Sequence, residues 1–537
     1  MEESSTARDK LSGNFPSLLA ARYLVGLIPA SLANSEKILR RLLMVVLLYC
    51  IPVSQAMVPM LDPDMWWHFR TGQWIVDHTQ VPAVDSFSAY GMGKPWVAYS
   101  WLFEILVYAI FTKLGLMGIL AFTVSMSLLI AFVLHGTLRR MGSPFIVQVF
   151  SVAVALGAMS SLLYPRSWLF SILFFTVELF ILFRVRRTGK IAPLMALPPL
   201  FVLWANLHMQ FVYGLAAFGL FLVEVLLLQL PSVSLYPRHR SNISLGQVSS
   251  LLLACFVATL ITPYLFRLYI PIFEVIGQTG AFQMILELLP LTFRTLTDWL
   301  VIGLTIGAAF VLGWQRAWLP FPTLLLLMGT FLAFRARRDV WVLVLAAVFI
   351  INEFGSFARS EPSFGFTKLR TICVIVALAV AIYLIGLSRQ VSEDQLEIAV
   401  ERQFPVAAVK FINEKNYSGP LYNHFNWGGY LIWALPRIPV SMDGRMNVHG
   451  DQRIERAGNT WSGLKGWESD PELMKARLVI GSVNDPLTSL VRSDSRFKLV
   501  YEDAVAAVFV AAEANRQTNH DEMASHHGNT GLLQREP

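Results

Sequence analysis

Between Leu42 and Leu387 the chain returns repeatedly to long apolar stretches that hold almost no charged residue. A stretch of about 17 to 25 such residues can cross the hydrocarbon core of a bilayer as a helix. Lipid satisfies no backbone amide or carbonyl, so a sequence of this kind is committed to helices that bond internally. Composition agrees: 55% of the residues are apolar and 15% charged, against about 25% charged in soluble domains. The sequence therefore predicts an all-α polytopic membrane body over 42–387, behind a cytoplasmic N-terminal segment, 1–41. After Ser388 the residues become mixed in character, and 388–514 reads as a separate small α/β domain. The tail, 515–537, is polar and rich in His and Asn, too poor in apolar residues to build a core.

Basic residues fix the threading, because short inner loops collect Lys and Arg. Lys37, Arg40 and Arg41 precede the first span; Arg139-Arg140, Arg184 to Lys190, Arg238 to Arg240, Arg316 and Arg359 to Arg370 mark later inner turns. Placing them all inside gives eleven spans, near 42–60, 116–137, 146–164, 168–183, 193–207, 211–230, 247–265, 298–313, 318–334, 339–352 and 371–387. The C-terminal domain is then extracytoplasmic, and the protein belongs in the cell (inner) membrane. The net charge of +7 is accounted for by these loops and argues for no nucleic-acid partner. Cys50, Cys255 and Cys373 lie in apolar runs and read as small buried hydrophobes, without a disulfide framework or a thiolate metal site. Phe15 to Ala33 reads as an interfacial helix; an extra span there would invert the count.

The threading leaves a long first outer loop, 61–115, that opens with Asp62-Pro63-Asp64-Met65-Trp66-Trp67-His68-Phe69-Arg70. Polar groups at the bilayer boundary are costly unless they line an aqueous cavity, which makes Asp62, Asp64 and His68 candidates for chemistry. A carboxylate there can deprotonate an acceptor hydroxyl, helped by a second carboxylate or a divalent cation, with Asp64 and His68 as possible oxygen and nitrogen ligands. Asp-Pro-Asp is equally good turn chemistry. The Trp pair suits the headgroup layer. Thr71 to His78 reads as a short amphipathic helix, 81–95 as a turn-rich linker, and Ser100 as the N-cap of a helix that lies against the membrane or re-enters it and ends near Gly115. Glu104, set among apolar neighbours in that helix, reads as a second catalytic carboxylate or the partner of a buried arginine.

Arg166 and His208 fall at outer span ends, facing the same cavity or snorkelling to the interface. Arg335, Arg337 and Arg338 break the charge rule by falling outside. Either the threading fails there, or the arginines grip phosphate, for which a guanidinium fork is well shaped. No phosphate-cradling GxxxxGK[ST] loop, no GxGxxG after a strand and no HExxH is present. An enzyme of this build needs a substrate that is already activated, and a lipid-linked one is available in the bilayer.

The run Asp62-Pro63-Asp64-Met65-Trp66-Trp67-His68-Phe69-Arg70-Thr71-Gly72 resembles the first-loop signature of a bacterial multi-pass family similar to GT-C-fold glycosyltransferases, which include protein O-mannosyltransferases and aminoarabinose lipid A transferases. Pro95 to Glu104, Pro165 to Ser171, Trp204 to His208, Tyr422 to Leu431 and Asp443-Gly444-Arg445 resemble it as well. The resemblance implies that Asp62 or Asp64 is the catalytic base and Glu104 a family acidic position. It also implies a polyprenyl-phosphate sugar as donor and an inverting transfer to an acceptor of unspecified class. The chain departs from the pattern at His208-Met209-Gln210, at Thr262-Pro263-Tyr264-Leu265 and around Ile285-Leu286-Glu287-Leu288.

In the C-terminal domain the sequence predicts helices over 406–416 and 427–435, the second with Asn426 as N-cap. It predicts strands at 421–422, 440–442, 478–480, 497–501 and 505–510. Asp443-Gly444-Arg445 then follows a strand, where α/β sheets tend to bind ligands. Trp461 and Trp467 read as sugar-stacking or core residues. The expected function is an integral-membrane glycosyltransferase at the outer face. Two alternatives stay open: a transporter or flippase for a lipid-linked solute, and a degenerate scaffold of envelope assembly.

Overall fold

The computed structural model describes residues 30–58, 62–229, 243–277, 285, 287–316, 319–355 and 367–512. Helices stand at each of the eleven expected stretches. In chain order the helices of this region, two of them (α2 and α9) outside those stretches, are α1 (Ala30–Ala56), the amphipathic α2 (Met65–His78), α3 (Trp101–Met141), α4 (Phe145–Ala158), α5 (Trp168–Thr188), α6 (Leu197–Leu207), α7 (Phe211–Gln229) and α8 (Leu245–Ala258). They continue with the short α9 (Ile270–Gly277), then α10 (Leu296–Trp314), α11 (Pro320–Arg335), α12 (Val340–Phe354) and α13 (Lys368–Ser388). Six of them, those at 35–56, 101–141, 168–188, 211–229, 296–314 and 368–388, are long and apolar enough to cross a membrane. Of the expected interfacial helix, residues 30–33 belong to α1 and the remainder lies outside the described residues.

The basic turns at Arg139-Arg140 and Arg184 to Lys190 meet at one end of the bundle, while Arg238 to Arg240 and 356–366 lie outside the described residues. Arg187, in the last turn of α5, donates to the Met141 carbonyl at the end of α3, at 2.9 Å. Arg186 pairs with Glu224 of α7 at 2.6 Å, and Glu224 also accepts the Phe321 amide at the start of α11. A helix of the length of α5 rises about 30 Å, so the segments that begin at Trp101 and Trp168 and end at Leu207 and Arg335 gather at the other end. The sequence motifs lie there.

Two expectations about the first loop change. The helix after the Asp-Pro-Asp turn begins at Met65 and not at Thr71. It lies tight on α3: a Cβ at Gly72 would come within 2.2 Å of the Glu104 carbonyl oxygen. The helix opened by Trp101 does not end at Gly115 but breaks there, at φ 60° and ψ −155°, and continues to Met141. Ser100 occupies the N-cap position without a side-chain capping bond. The amides of Leu116 and Met117, freed by the break, donate to the Glu393 carboxylate at 3.2 Å each. An acidic group at a renewed helix start satisfies orphan donors and meets the positive end of the helix dipole.

The C-terminal domain runs through α14 (Glu393–Gln403), α15 (Val406–Glu414), β1 (Leu421–Asn423), α16 (Gly428–Ala434), α17 (Met446–His449), α18 (Asp451–Trp461), β2 (Leu478–Ser482), α19 (Pro486–Arg492), β3 (Phe497–Glu502) and β4 (Ala506–Ala511). Its sheet has the order β1-β2-β4-β3, with β1 parallel to β2 and the other pairs antiparallel. Residues 440–442 form no strand of it. Val440 instead pairs with the first loop, donating to the Phe87 carbonyl at 3.1 Å and accepting from Ala89 at 2.9 Å. The 82–95 segment is thus ordered by the domain it touches. Asn426 does not cap α16; that position falls to Trp427, and His424 caps the short 3-10 turn before it.

Docking of this domain on the first loop is aromatic and ionic. Trp66 and Trp67 are buried, not placed in a headgroup layer. Trp66 meets Tyr430 and Phe404 edge-on at 5.1 and 5.7 Å, and Phe69 stacks on Phe111 at 4.3 Å. Beside them Arg445 reaches Asp85 of the first loop at 2.6 Å and Asp443 at 2.8 Å, with all three side chains buried. Burial alone would raise the Asp443 carboxyl, but Arg445 and His449 hold it well below the usual carboxylate range. Breaking a buried pair on one side strands a charge, at a cost of about 3 to 5 kcal/mol. Asp85→Ala should therefore lower the thermal midpoint of the purified protein by several degrees, and a midpoint unchanged within error would show that this ion pair does not hold the domain in place.

Candidate functional site

The Asp-Pro-Asp turn is shaped by its own carboxylate: Asp62 Oδ1 accepts the Asp64 amide at 2.8 Å, and the Asp62 carbonyl accepts the Met65 amide at 3.1 Å. This leaves Asp62 Oδ2 and the Asp64 carboxylate directed at Arg166, from the turn before α5. Arg166 Nε donates to Asp62, and its Nη1 reaches Asp64 Oδ2 at 2.6 Å. A third carboxylate, Glu287, stands 3.8 Å from Arg166 Nη2 and accepts from the Tyr164 hydroxyl at 3.3 Å. One mostly buried guanidinium thus serves three carboxylates from two segments. Burial pushes the Asp62 carboxyl up, to about 7, against the opposing pull of Arg166, and the charges of Asp64 and Glu287 add to the rise.

Glu287 is the site residue that the sequence reading did not single out. It is a lone carboxylate in the Leu-rich stretch where the family-like pattern fails, and only its placement reveals it. The arginine turn holds it there: the amides of Arg338 and Arg337 donate to the carbonyls of Glu287 and Leu289 at 3.0 and 3.1 Å.

The cluster opens on a cavity of about 940 Å³. One wall comes from membrane-body helices and is largely apolar, with Ala56, Leu116, Ile119, Leu120 and Leu163. The opposite wall belongs to the C-terminal domain and includes His424, Asn426, Trp461 and Asp485. Gly444 is where the two meet most closely: a Cβ there would fall 1.9 Å from Asp64 Oδ1. Gly429 makes a similar approach, with a Cβ position 2.5 Å from the Pro63 carbonyl. The Asp443-Gly444-Arg445 motif therefore supports the first-loop aspartates and follows no strand.

Of the expected site residues, Asp62, Asp64, Arg166, Arg337 and Arg338 line this cavity. Arg337 donates to Thr292 Oγ1 at 2.7 Å. Arg338 makes no side-chain hydrogen bond among the described residues and approaches Asp339 at 4.0 Å. Asp339 is itself engaged by Gln210 and Tyr213, at 2.8 and 3.0 Å. Arg335 is not among the lining residues.

Glu104, His68 and His208 are drawn away from the cavity. His68 Nδ1 shares a hydrogen bond with Glu104 Oε1 at 3.3 Å between α2 and α3, with both side chains almost fully buried. Burial, with the positive charge of Arg166 and the neighbouring His208, holds His68 well below the usual imidazole range, so this is a bond to a neutral ring. His208 bonds the Ser171 hydroxyl at 2.8 Å, which also accepts the Trp204 indole. His68, Glu104 and His208, expected at the site, are not among the residues that line the cavity. Among the described residues no group of three or more His, Cys, Asp and Glu is arranged to hold a metal ion. Around Asp64 it is Arg166 that fills the cationic place between the carboxylates, and His68 turns to Glu104. Trp467 packs half-buried against the domain core.

Compared with protein-family models and with curated proteins, the chain gives no match. The geometry of the site therefore carries the functional argument.

That geometry makes a test. Arg166→Gln leaves three carboxylates without their shared cation and should destabilise the protein by about 3 kcal/mol or more. Adding Asp62→Asn and Asp64→Asn removes the repulsion and should recover part of the loss, because contacting charges are not additive. Detergent-phase thermal unfolding of the single and triple variants reads this directly. A triple variant no more stable than Arg166→Gln alone would contradict the arrangement.

Proposed function

We propose that this chain is an integral-membrane glycosyltransferase of GT-C type. It moves a sugar from a polyprenyl-phosphate carrier to an acceptor hydroxyl at the outer face of the cell (inner) membrane. The body has eleven spans, the basic turns face the cytoplasm, and the C-terminal domain is extracytoplasmic. The observation that carries the reading is the carboxylate–arginine cluster at the junction of an apolar, membrane-side wall and a polar, domain-side wall of one cavity. A donor with a lipid tail and an activated sugar headgroup needs both walls, and a base at their seam.

Asp64 is the base. Its side chain keeps 18% of its surface exposed, whereas Asp62 keeps 2% and spends both oxygens on the Asp64 amide and Arg166. The acceptor hydroxyl gives its proton to Asp64 as its oxygen attacks the anomeric carbon. The bond from that carbon to the phosphate oxygen breaks, and the carrier phosphate leaves with the electron pair. Attack opposite the leaving group inverts the configuration. Arg338, whose guanidinium has no hydrogen bond among the described residues, and Arg337 meet the charge that develops on the phosphate. Arg166 and Glu287 hold the turn that presents Asp64, and Glu104 with His68 keeps α2 seated on α3.

Two outcomes follow. Asp64→Asn should abolish label transfer from a polyprenyl-phosphate hexose in proteoliposomes while the thermal midpoint stays within a few degrees of wild type; full transfer by that variant would remove the mechanism. Arg338→Gln should weaken binding of the same donor at least tenfold, since a charge-assisted hydrogen bond contributes about 1.5 to 3 kcal/mol. Unchanged donor affinity would end the phosphate-clamp assignment.

A further inference from the structure

The two walls of the cavity differ in charge as well as in polarity. Every lysine or arginine that lines it, Arg166, Arg337 and Arg338, comes from the membrane body. The C-terminal domain contributes no cation to the described lining and one carboxylate, Asp485. A phosphate or an acidic chain lying on that wall would find no counter-charge and would meet a like charge.

What the wall does offer is a set of hydrogen-bonding groups, all neutral but Asp485, around Trp461. Trp461 lies flat on Tyr422 at 5.5 Å and takes His424 edge-on at 5.3 Å. Its indole N–H makes no hydrogen bond with the described residues. The Asn426 side-chain amide is exposed and is likewise without a partner among them. His424 accepts the Asn426 amide through Nδ1 at 3.3 Å, which puts its ring proton on Nε2. Asp485 accepts the Ser482 amide through Oδ2 at 3.0 Å and keeps Oδ1 for other partners. Groups left over in this way, donors and acceptors alternating beside indole, suit hydroxyls, each of which both gives and takes a hydrogen bond. Trp461 itself is buried and stacked on Tyr422, so recognition on this wall rests on the hydrogen-bonding groups around it.

The geometry points to an acceptor subsite for a neutral, hydroxyl-rich carbohydrate chain on the C-terminal domain, built by His424, Asn426, Trp461 and Asp485. This rests on the reading of the cavity as a glycosyl-transfer site and names the acceptor class. Gly444, on the same wall, packs against Asp64, so the subsite and the base line one cavity.

The test uses the full chain in nanodiscs without donor, so that it reads acceptor binding apart from transfer. The ligands are a neutral tetrasaccharide, cellotetraose, and its acidic counterpart, tetragalacturonate, followed by ligand-observed saturation-transfer NMR and by tryptophan fluorescence. Saturable binding of cellotetraose, at least tenfold tighter than tetragalacturonate and weakened at least fivefold in Asn426→Ala and in Asp485→Asn, is expected. Asn426 is exposed, so its truncation leaves the fold intact; the thermal midpoint checks this. No saturable binding of the neutral chain, equal or tighter binding of the acidic one, or binding indifferent to both substitutions would overturn the assignment. Loss of transfer in Asp64→Asn with cellotetraose binding intact is the pattern expected if both readings hold. Full transfer by Asp64→Asn with binding intact would fail the base while keeping the subsite.

Discussion

Arg166 is the group on which the rest of the site depends. Three carboxylates that would repel one another in a buried turn are held within reach of a single guanidinium, from the first loop and from the segment before the arginine turn. A planar fork with several donors can do this where an ammonium cannot. Because Arg166 heads α5, the cluster also ties the Asp-Pro-Asp turn to the end of a helix whose far end meets Glu224 and Met141. The position of the candidate base is therefore set by the whole length of the bundle.

The second constraint is steric. Gly72, Gly429 and Gly444 sit where a methyl group would collide with the Glu104 carbonyl, the Pro63 carbonyl and the Asp64 carboxylate. These contacts bring α2 onto α3 and the C-terminal domain onto the first loop. Around them, Trp66, Phe404 and Tyr430 exclude water, and the buried Arg445–Asp85 pair fixes register. Cavity and domain interface are thus one feature: without the docked domain, the acidic cluster would face solvent on one side. Glu393 adds a further tie, since it caps the renewed helix at Gly115 from the start of the domain, beside the apolar cavity wall.

Much of this was legible in the residues. Apolar stretches place helices well because lipid-facing length and composition leave a chain few options, and every expected stretch carries one. Asp62, Asp64 and Arg166 stood out because charge at the edge of an apolar run is costly without a purpose. The failures have physical reasons. Val440-Ser441-Met442 has the composition of a strand, but its partner is the first loop, which local pattern cannot reveal. Trp66 and Trp67 looked interfacial because sequence shows the end of a span and not the domain that later covers it. His68, Glu104 and His208 carry chemistry-bearing side chains that bond one another or Ser171 beside the cavity and not in its lining. Glu287 was missed because its meaning lies in 3.8 Å to Arg166 and in nothing adjacent along the chain.

The central claim is that the cluster serves a lipid-linked sugar donor. It is tested most directly by mass spectrometry of lipids that remain bound to the protein through purification in mild detergent. The account predicts a polyprenyl phosphate, with or without its sugar, in stoichiometric proportion. That lipid should be lost when Arg337 and Arg338 are replaced together by Gln. Protein carrying only bulk phospholipid, under conditions in which added polyprenyl-phosphate sugar also fails to bind, would contradict it.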